Sequence, residues 1–299
     1  MKGTHLFYQA MNSILDVIIF TCEAREHLLK RAWAAYAPVL GPLHHRRILA
    51  IDGGVDHRVI DLIHPNIVVQ NVQRRGYISS ILNALALVQS EYFVWLEDDW
   101  IFNGPVRIED ALAVLDQNPS WVQVRWSKEA PLTAADVALI PGVHCSADGF
   151  SANPSVCRTE LLREGFKFLQ EEPKGSSLGI DAFENVLTRW SRTHRRVCAV
   201  FDPGDKPAVS HIGYLESSGR QWHMTASLEA VPQEHIPNAG IPPALWRRFW
   251  MVWKLMRAFA SVGLRQFFSE AAYDLAFRIM ATVKTLSGKR AGRGDRTTS

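Results

Sequence analysis

Apolar and polar positions follow two different periods along the greater part of the chain. Short runs of β-branched and aromatic residues alternate with longer segments in which apolar residues recur every three or four positions. The short runs are typical of buried strands, and the longer period is typical of helices with one apolar face. The runs that predict strands are Asp16 to Thr21, Arg46 to Ile51, Asn66 to Val72, Tyr92 to Leu96, Trp121 to Trp126 and Arg196 to Phe201. The segments that predict helices are Glu26 to Tyr36, Ser79 to Val88, Ile108 to Leu115, Ser155 to Phe168 and Leu178 to Trp190.

This alternation of strands and helices predicts the fold class. Consecutive strand and helix units favour an α/β fold with a mostly parallel sheet and helices on both of its faces. Between Pro131 and Gly149, prolines and glycines interrupt any period, which predicts a loop-rich insertion. Asn153 and Pro154 have the sequence of a helix cap and first turn, so we expect the next helix to begin at Ser155.

The C-terminal region has a different pattern. From Ile241 onward the chain contains eleven Lys and Arg against three acids, and apolar positions at helical spacing begin at Pro242. We therefore predict an α/β domain over residues 1–240, basic amphipathic helices over 241–287 and a disordered basic tail over 288–299. Such helices suit an anionic membrane surface, where apolar side chains enter the headgroup boundary and basic ones meet anionic lipid. The alternative is a helix pair that packs on the α/β domain or forms a dimer interface.

The composition limits the class of protein and its location. Of the 299 residues, 47% are hydrophobic, which is enough for a large core. The four cysteines are far apart with no CxxC pair, which argues against zinc sites and a disulfide framework and favours a reducing compartment. The N-terminus has no apolar signal region, and the longest uncharged stretch, Gly76 to Ser90, is shorter than the roughly 18 residues that span a bilayer. We expect a cytoplasmic protein, peripheral on the inner membrane face, with no nucleic-acid partner.

Three consecutive acids follow one of the predicted buried strands. Tyr92 to Leu96 is apolar and is followed by Glu97, Asp98 and Asp99. Parallel strands of open α/β sheets carry their chemistry at the carboxyl end, and three carboxylates placed there repel one another. A hard divalent cation, Mg²⁺ or Mn²⁺, would neutralise them, because these ions take carboxylate oxygens together with substrate phosphates. The stretch therefore predicts a metal and diphosphate site, and the alternative is a solvated acidic turn.

In order and spacing, several motifs between Asp16 and Gly213 resemble those of glycosyltransferases of the GT-A fold, most similar to the family 2 nucleotide-sugar transferases. The stretch Gly76 to Asn83 is similar to the one that packs beneath the sugar nucleotide in that family. The resemblance implies a GT-A-like nucleotide-binding sheet and a nucleotide-sugar donor. The positions that match donor-binding residues, including those near the base and the ribose, are Thr21, Arg25, Asp52 and Asp98. Glu97 to Asp99 resembles the DxD motif, which implies Asp99 as the direct metal ligand with Glu97 beside it.

The later part of the chain contains candidates for a general base and for a further metal ligand. The family's catalytic acidic pair is most nearly matched by Ile180 to Asn185, so either Asp181 or Glu184 would activate the acceptor hydroxyl. The two acids are spaced i, i+3 and would share one helix face, although solvated surface acids have the same spacing. His211 would complete the coordination of the cation or touch the diphosphate. The alternative is an ordinary core or surface histidine whose hydrogen bonds are satisfied.

These features predict a metal-dependent, inverting glycosyltransferase that moves a sugar from a nucleotide diphosphate sugar to a hydroxyl acceptor, which is a glycan or a lipid-linked molecule. One alternative is a nucleotidyltransferase on a similar sheet. It would want a basic, glycine-rich loop after the first strand, and Thr21 to Arg25 contains no glycine. Another alternative is a non-catalytic sugar-nucleotide-binding protein at the membrane. Such a protein would keep Asp52 and would not need Asp181 or Glu184.

Overall fold

The structure, a computed structural model, describes residues 14–41, 43–126, 132–171, 182–202, 204, 207–212, 222–224 and 230–232. All of them belong to the first of the two units into which the chain divides, Met1–Ala239. The predicted C-terminal helices and basic tail lie outside the described residues, so they and the domain division stay predictions. Within the described ranges, no helix is long and apolar enough to cross a bilayer.

Strands and helices alternate through the first half of the chain, and the structure adds a short helix between the second and third predicted strands. The strands are β1 (Leu15–Cys22), β2 (His45–Asp52), β3 (Ile67–Asn71), β4 (Tyr92–Glu97), β5 (Trp100–Phe102), β6 (Trp121–Arg125), β7 (Val137–Ile140), β8 (Val143–Cys145), β9 (Ser155–Arg158), β10 (Val197–Phe201), β11 (Val209–His211), β12 (Trp222–Met224) and β13 (Ala230–Pro232). The helices are α1 (Glu26–Leu40), α2 (His57–Ile63), α3 (Tyr77–Leu85), α4 (Ile108–Gln117), α5 (Thr159–Glu171) and α6 (Ala182–Thr193).

A nine-stranded sheet with the order β3-β2-β1-β4-β9-β6-β10-β8-β7 forms the centre of the fold. Strands β1 to β4 are parallel. Strand β9 is antiparallel to both β4 and β6, so β6 runs with β4, and β10 is parallel to β6. Strand β8 opposes β10, and β7 opposes β8. Seven of the nine strands therefore point the same way, which confirms the predicted mostly parallel α/β sheet.

Both faces of the sheet are covered by helices. Along β1, Val17 and Ile19 face one side and Ile18 and Phe20 face the other, and none of the four is more than 2% exposed. The first side packs against residues of α1, α2 and α4, and the second side packs against residues of α3, α5 and α6. Because successive residues of a strand point to opposite faces, a strand covered on both sides is apolar throughout. This explains why the predicted strands are continuous apolar runs.

The expected helix start at Ser155 is wrong. Ser155–Arg158 is strand β9, and α5 begins only at Thr159. Val156 and Cys157 are fully buried between β4 and β6. Pairing on both sides of a central strand outweighs the local helix preference of four residues, and this pairing partner lies far away in sequence.

The loop-rich insertion predicted between Pro131 and Gly149 is also wrong in part, because it contains the hairpin β7–β8. The two strands are joined by Pro141 and Gly142, and Gly142 has a φ of 74°. Proline followed by glycine at positive φ is the sequence of a type II turn. The residues that interrupt the hydrophobic period therefore mark a tight turn between two short strands.

Candidate functional site

The predicted donor-binding residues lie at the point where the strand order reverses. Strand β1 has β2 on one side and β4 on the other, so the chain builds the sheet first in one direction and then in the other. Ligands of open α/β sheets bind outside the carboxyl ends of the strands at such a switch point. Thr21 and Arg25 lie at the end of β1, and Asp98 follows β4 with its N–H bonded to Phe20 O at 3.0 Å. The fold thus brings these residues together from two neighbouring strands.

One arginine neutralises the acidic pair. Arg25 Nη2 lies 2.8 Å from Asp98 Oδ1 and 2.5 Å from Asp99 Oδ2. Thr21 Oγ1 donates a hydrogen bond of 2.7 Å to Asp98 Oδ2. Arg25 itself is held in place because the first N–H groups of α1, on Leu28 and Leu29, bond to its carbonyl oxygen at 3.0 Å. Arg25 and Thr21 bind the acids in this structure, and their predicted place at the nucleotide base stays a prediction.

The charges within this cluster change the protonation of its members. Burial alone would lower the pKa of Arg25, but the charges of Asp98 and Asp99 raise it above its ordinary value. Burial, opposed by Arg25, raises the pKa of Asp98 to about 7, and the charge of Asp99 adds to the rise. Burial also acts to raise the pKa of Asp99, but His211 and Arg25 hold it below its ordinary value. Asp99 is therefore the ionised carboxylate of the pair.

His211 lies beside Asp99, as the sequence predicts for two residues of one site. Strand β11 pairs with β5 so that His211 is opposite Trp100, the residue after Asp99. His211 Nε2 is 3.2 Å from Asp99 Oδ2, and the two rings of His211 and Trp100 are 4.8 Å apart. The N–H of Ile212 bonds to Asp99 O at 2.6 Å. These contacts fix the histidine against the carboxylate.

Glu97 bonds to two aromatic side chains rather than to Arg25 or His211. Its Oε1 accepts a hydrogen bond from Tyr77 Oη, and its Oε2 accepts one of 3.2 Å from Trp100 Nε1. Burial raises the pKa of Glu97 well above its ordinary value, and the charge of Asp99 adds to the rise. The expected metal trio is not brought together, since among the described residues no three His, Cys, Asp or Glu side chains are spaced to hold a cation.

Asp99 retains one oxygen that suits a cation. Asp99 Oδ1 is buried and has no hydrogen-bond partner, whereas Oδ2 bonds to Arg25 and His211. Mg²⁺ is commonly held by one or two carboxylates, with the remaining positions filled by water and substrate phosphates. A single free carboxylate oxygen at the switch point fits that pattern. The described residues therefore fit a divalent cation at Asp99 whose other ligands would be water and substrate phosphates.

Asp52 forms part of the wall of the site. Its Oδ1 accepts hydrogen bonds from Arg75 N at 2.7 Å and Asn71 Nδ2 at 3.1 Å, and its Oδ2 accepts one from Gly76 N at 2.9 Å. These bonds hold the segment that leads into α3, where Gly76 has a φ of 101°. The predicted contact of Asp52 with the ribose or base stays a prediction, and the structure adds a loop-holding role.

Glu184 lies in the first turn of α6, and Asp181 lies outside the described residues. Glu184 Oε1 accepts hydrogen bonds from Ala152 N at 2.6 Å and Ser151 Oγ at 3.0 Å. Its charge contributes to the raised pKa of Glu97. The ring of Phe183, its neighbour in α6, packs edge-on against the ring of Tyr77, with their centroids 5.8 Å apart. Glu184 therefore faces the same side of the sheet as Glu97.

Three residues that contribute to the site are not among those predicted from the sequence. Tyr77 and Trp100 bind Glu97, and Tyr36 Oη donates a hydrogen bond of 2.8 Å to the Glu97 carbonyl. Tyr77 falls inside the stretch that resembles the one beneath the sugar nucleotide, and Trp100 directly follows the acids. Tyr36 comes from the apolar face of α1, where an aromatic residue carries no functional signal.

Comparisons with known proteins show limited similarity. No family model matches the sequence, and no curated protein matches it. Among solved structures, S. aureus TarS is similar with a TM-score of 0.47 and 17% identity, over 66% of this chain and 36% of that one. CMP:2-keto-3-deoxy-manno-octonic acid synthetase complexed with CTP has a TM-score of 0.43 and 11% identity, over 63% of this chain and 89% of that one. The chain thus matches only about a third of the length of TarS.

Proposed function

We propose that this protein transfers a sugar from a nucleotide diphosphate sugar to a hydroxyl acceptor, with Mg²⁺ or Mn²⁺ and with inversion at the anomeric carbon. The observation that carries the proposal is the placement of Asp98 and Asp99 at the switch point. There, Arg25 neutralises part of their charge and Asp99 Oδ1 has no protein partner. This position at the carboxyl ends of β1 and β4 suits the phosphates of a nucleotide and a cation bound to them.

The chemistry divides between the two sides of the site. The acceptor oxygen forms a bond to the anomeric carbon, the bond from that carbon to the diphosphate oxygen breaks, and the acceptor proton passes to a carboxylate. Asp99 would hold the cation, which would supply Lewis-acid stabilisation of the charge on the leaving diphosphate. Glu184 is the described candidate for the carboxylate that takes the proton, and Asp181 is the other candidate. Attack from the side opposite the diphosphate gives inversion.

The connection between β1 and α1 supports the proposal of sugar transfer over nucleotidyl transfer. Between β1 and α1 the chain has only Glu23, Ala24 and Arg25, so no glycine-rich loop is present to wrap a triphosphate. Arg25, the single basic residue there, bonds to two carboxylates. A non-catalytic binding protein would bind the same donor, and it differs from the proposed enzyme in having no need of Glu184.

Ligand-dependent thermal unfolding tests the proposal. A nucleoside diphosphate sugar at a hundred times its Kd stabilises the native state by about 2.7 kcal/mol. For a domain of this size that raises Tm by about 5 to 10 °C. We expect such a rise for at least one of the UDP-, GDP-, CDP- and dTDP-linked sugars with Mn²⁺, and a smaller rise with EDTA. If none of these donors raises Tm in the presence of Mn²⁺, the proposal is wrong.

A further inference from the structure

A largely buried loop lies between the sheet and the helix that carries Glu184. Residues 146–152, here called the 146–152 loop, connect β8 to the segment before β9. Phe150 is 2% exposed, and Gly149 has a φ of 74°. A Cβ added to Gly149 would lie 2.3 Å from Thr188 Cγ2 of α6, so the loop packs directly on that helix. Buried loops require partners for their backbone polar groups, and here side chains supply them.

Two polar side chains of β6 hold the loop on the sheet side. Gln123 Nε2 donates a hydrogen bond of 2.6 Å to Ser151 O, and Gln123 Oε1 accepts one of 3.3 Å from Ser151 N. Arg125 Nη2 donates to Ser146 Oγ and, at 3.3 Å, to Gly149 O. Arg125 therefore holds both ends of the turn that begins the loop.

Three side chains of α6, spaced four residues apart on one helix face, hold the loop on the opposite side. Thr188 Oγ1 accepts a hydrogen bond of 3.0 Å from Phe150 N, and Arg192 Nη2 donates one of 2.7 Å to Ala147 O. Glu184 Oε1 accepts the bonds from Ser151 Oγ and Ala152 N. The loop is thus fixed between β6 and the carboxylate that the proposed reaction uses.

Arg125 is unusual among the buried arginines. It is 2% exposed, and no carboxylate of the described residues forms an ion pair with it, whereas Arg25, at 7% exposed, pairs with two. The acids that act on it over a longer range are Asp148, Glu184 and Asp136. A buried charge without a direct partner destabilises a fold, so a structural role alone accounts poorly for an arginine here. An apolar residue of similar size would fill the same space without the free-energy penalty of burying a charge.

We propose that Arg125 is a positioning residue: by fixing the 146–152 loop, it sets the orientation of Glu184 toward the acceptor. The inference rests on the proposed function, in which Glu184 takes the acceptor proton. Arg125 itself touches neither donor nor acceptor in this proposal. It bonds to Ser146 and Gly149, and the loop that it holds carries Ser151 and Ala152, which bond to the carboxylate.

Substitution of Arg125 by methionine tests this role. The assay is release of nucleoside diphosphate, with water as acceptor, from the donor that the thermal screen identifies. We expect R125M to lower kcat by about ten-fold or more, because small displacements of a catalytic group cost large factors in rate. The Kd of the donor, measured by calorimetry, should change less than two-fold. R163M is the control, since the Nη2 of Arg163 also donates to two acceptors, here the carbonyl oxygens of Leu85 and Val88, and the change should leave kcat unchanged.

The double variant R125M/E184Q separates positioning from general destabilisation. If Arg125 acts through Glu184, R125M lowers kcat by less than about two-fold once Glu184 is already glutamine. S146A removes one hydrogen-bond acceptor of Arg125 and leaves its charge in place, and it should also lower kcat. If R125M does not fold, S146A is the variant that tests the positioning role. Additive losses, or full activity in R125M and S146A, overturn the positioning role while the proposed function stands. Full activity in E184Q also overturns the positioning role, and the proposed function then stands only if D181N loses activity.

Discussion

Replacing Asp99 by asparagine is expected to lower the rate of Mn²⁺-dependent release of nucleoside diphosphate by at least about a hundred-fold. The reason is that a Lewis-acid cation lowers the activation barrier by several kcal/mol. The amide removes the charge that the free Oδ1 offers to the cation. It keeps a carbonyl oxygen that can accept the hydrogen bond of Arg25, so the fold should be retained. The measurement is the rate of nucleoside diphosphate release at saturating donor, with Mn²⁺ varied.

The control for this substitution is D110N. Asp110 is an exposed acid in the first turn of α4 that pairs with Arg107 at 3.4 Å, away from β1 and β4. D110N should release nucleoside diphosphate at the wild-type rate. A D99N protein with the full Mn²⁺-dependent rate contradicts the assignment of the cation to Asp99.

Replacing Glu184 by glutamine should lower kcat by about a hundred to ten thousand fold, the range typical of a lost general base. Glutamine keeps an oxygen that accepts the bonds of Ser151 and Ala152, so the 146–152 loop stays in place. The Kd of the donor should be unchanged, because Glu184 acts on the acceptor side. This split between kcat and donor affinity distinguishes E184Q from D99N, for which the Mn²⁺-dependent part of donor binding also weakens.

A matched glutamate provides the control for E184Q. Glu160 lies in the first turn of α5, as Glu184 does in α6, and pairs with Arg163 on the surface. E160Q should have wild-type kcat. If E184Q retains full activity and D181N loses it, the base is Asp181. If both retain full activity, the proposed base chemistry is wrong and a non-catalytic binding protein becomes the better account.

The α/β fold follows from local sequence because each β-α unit has its own period. What the sequence does not contain is the order of distant strands. Ser155–Arg158 joins β4 and β6 across a wide sequence separation, and its four residues have no period of their own. The hairpin β7–β8 was hidden for a related reason, since Pro141 and Gly142 interrupt a period and also form its turn.

The sequence predicts which residue types form the candidate site better than it predicts their contacts. The acids and His211 were expected together, and the structure places Asp99 beside His211. The charge balance was expected from a cation, yet Arg25 supplies part of it. Glu97 is predicted beside Asp99 at the cation, but in the structure its carboxylate bonds to Tyr77 and Trp100. Such details depend on where a turn points, which hydrophobic periodicity does not encode.

The central claim, transfer of the sugar at its anomeric carbon, is tested most directly by NMR of a single reaction with the identified donor and Mn²⁺. The account predicts ³¹P signals of a nucleoside diphosphate and, in early ¹H spectra, a sugar product whose anomeric configuration is opposite to that of the donor. Release of pyrophosphate or of a nucleoside monophosphate would contradict sugar transfer. Retention of the anomeric configuration would contradict the single displacement and the base role of Glu184 or Asp181.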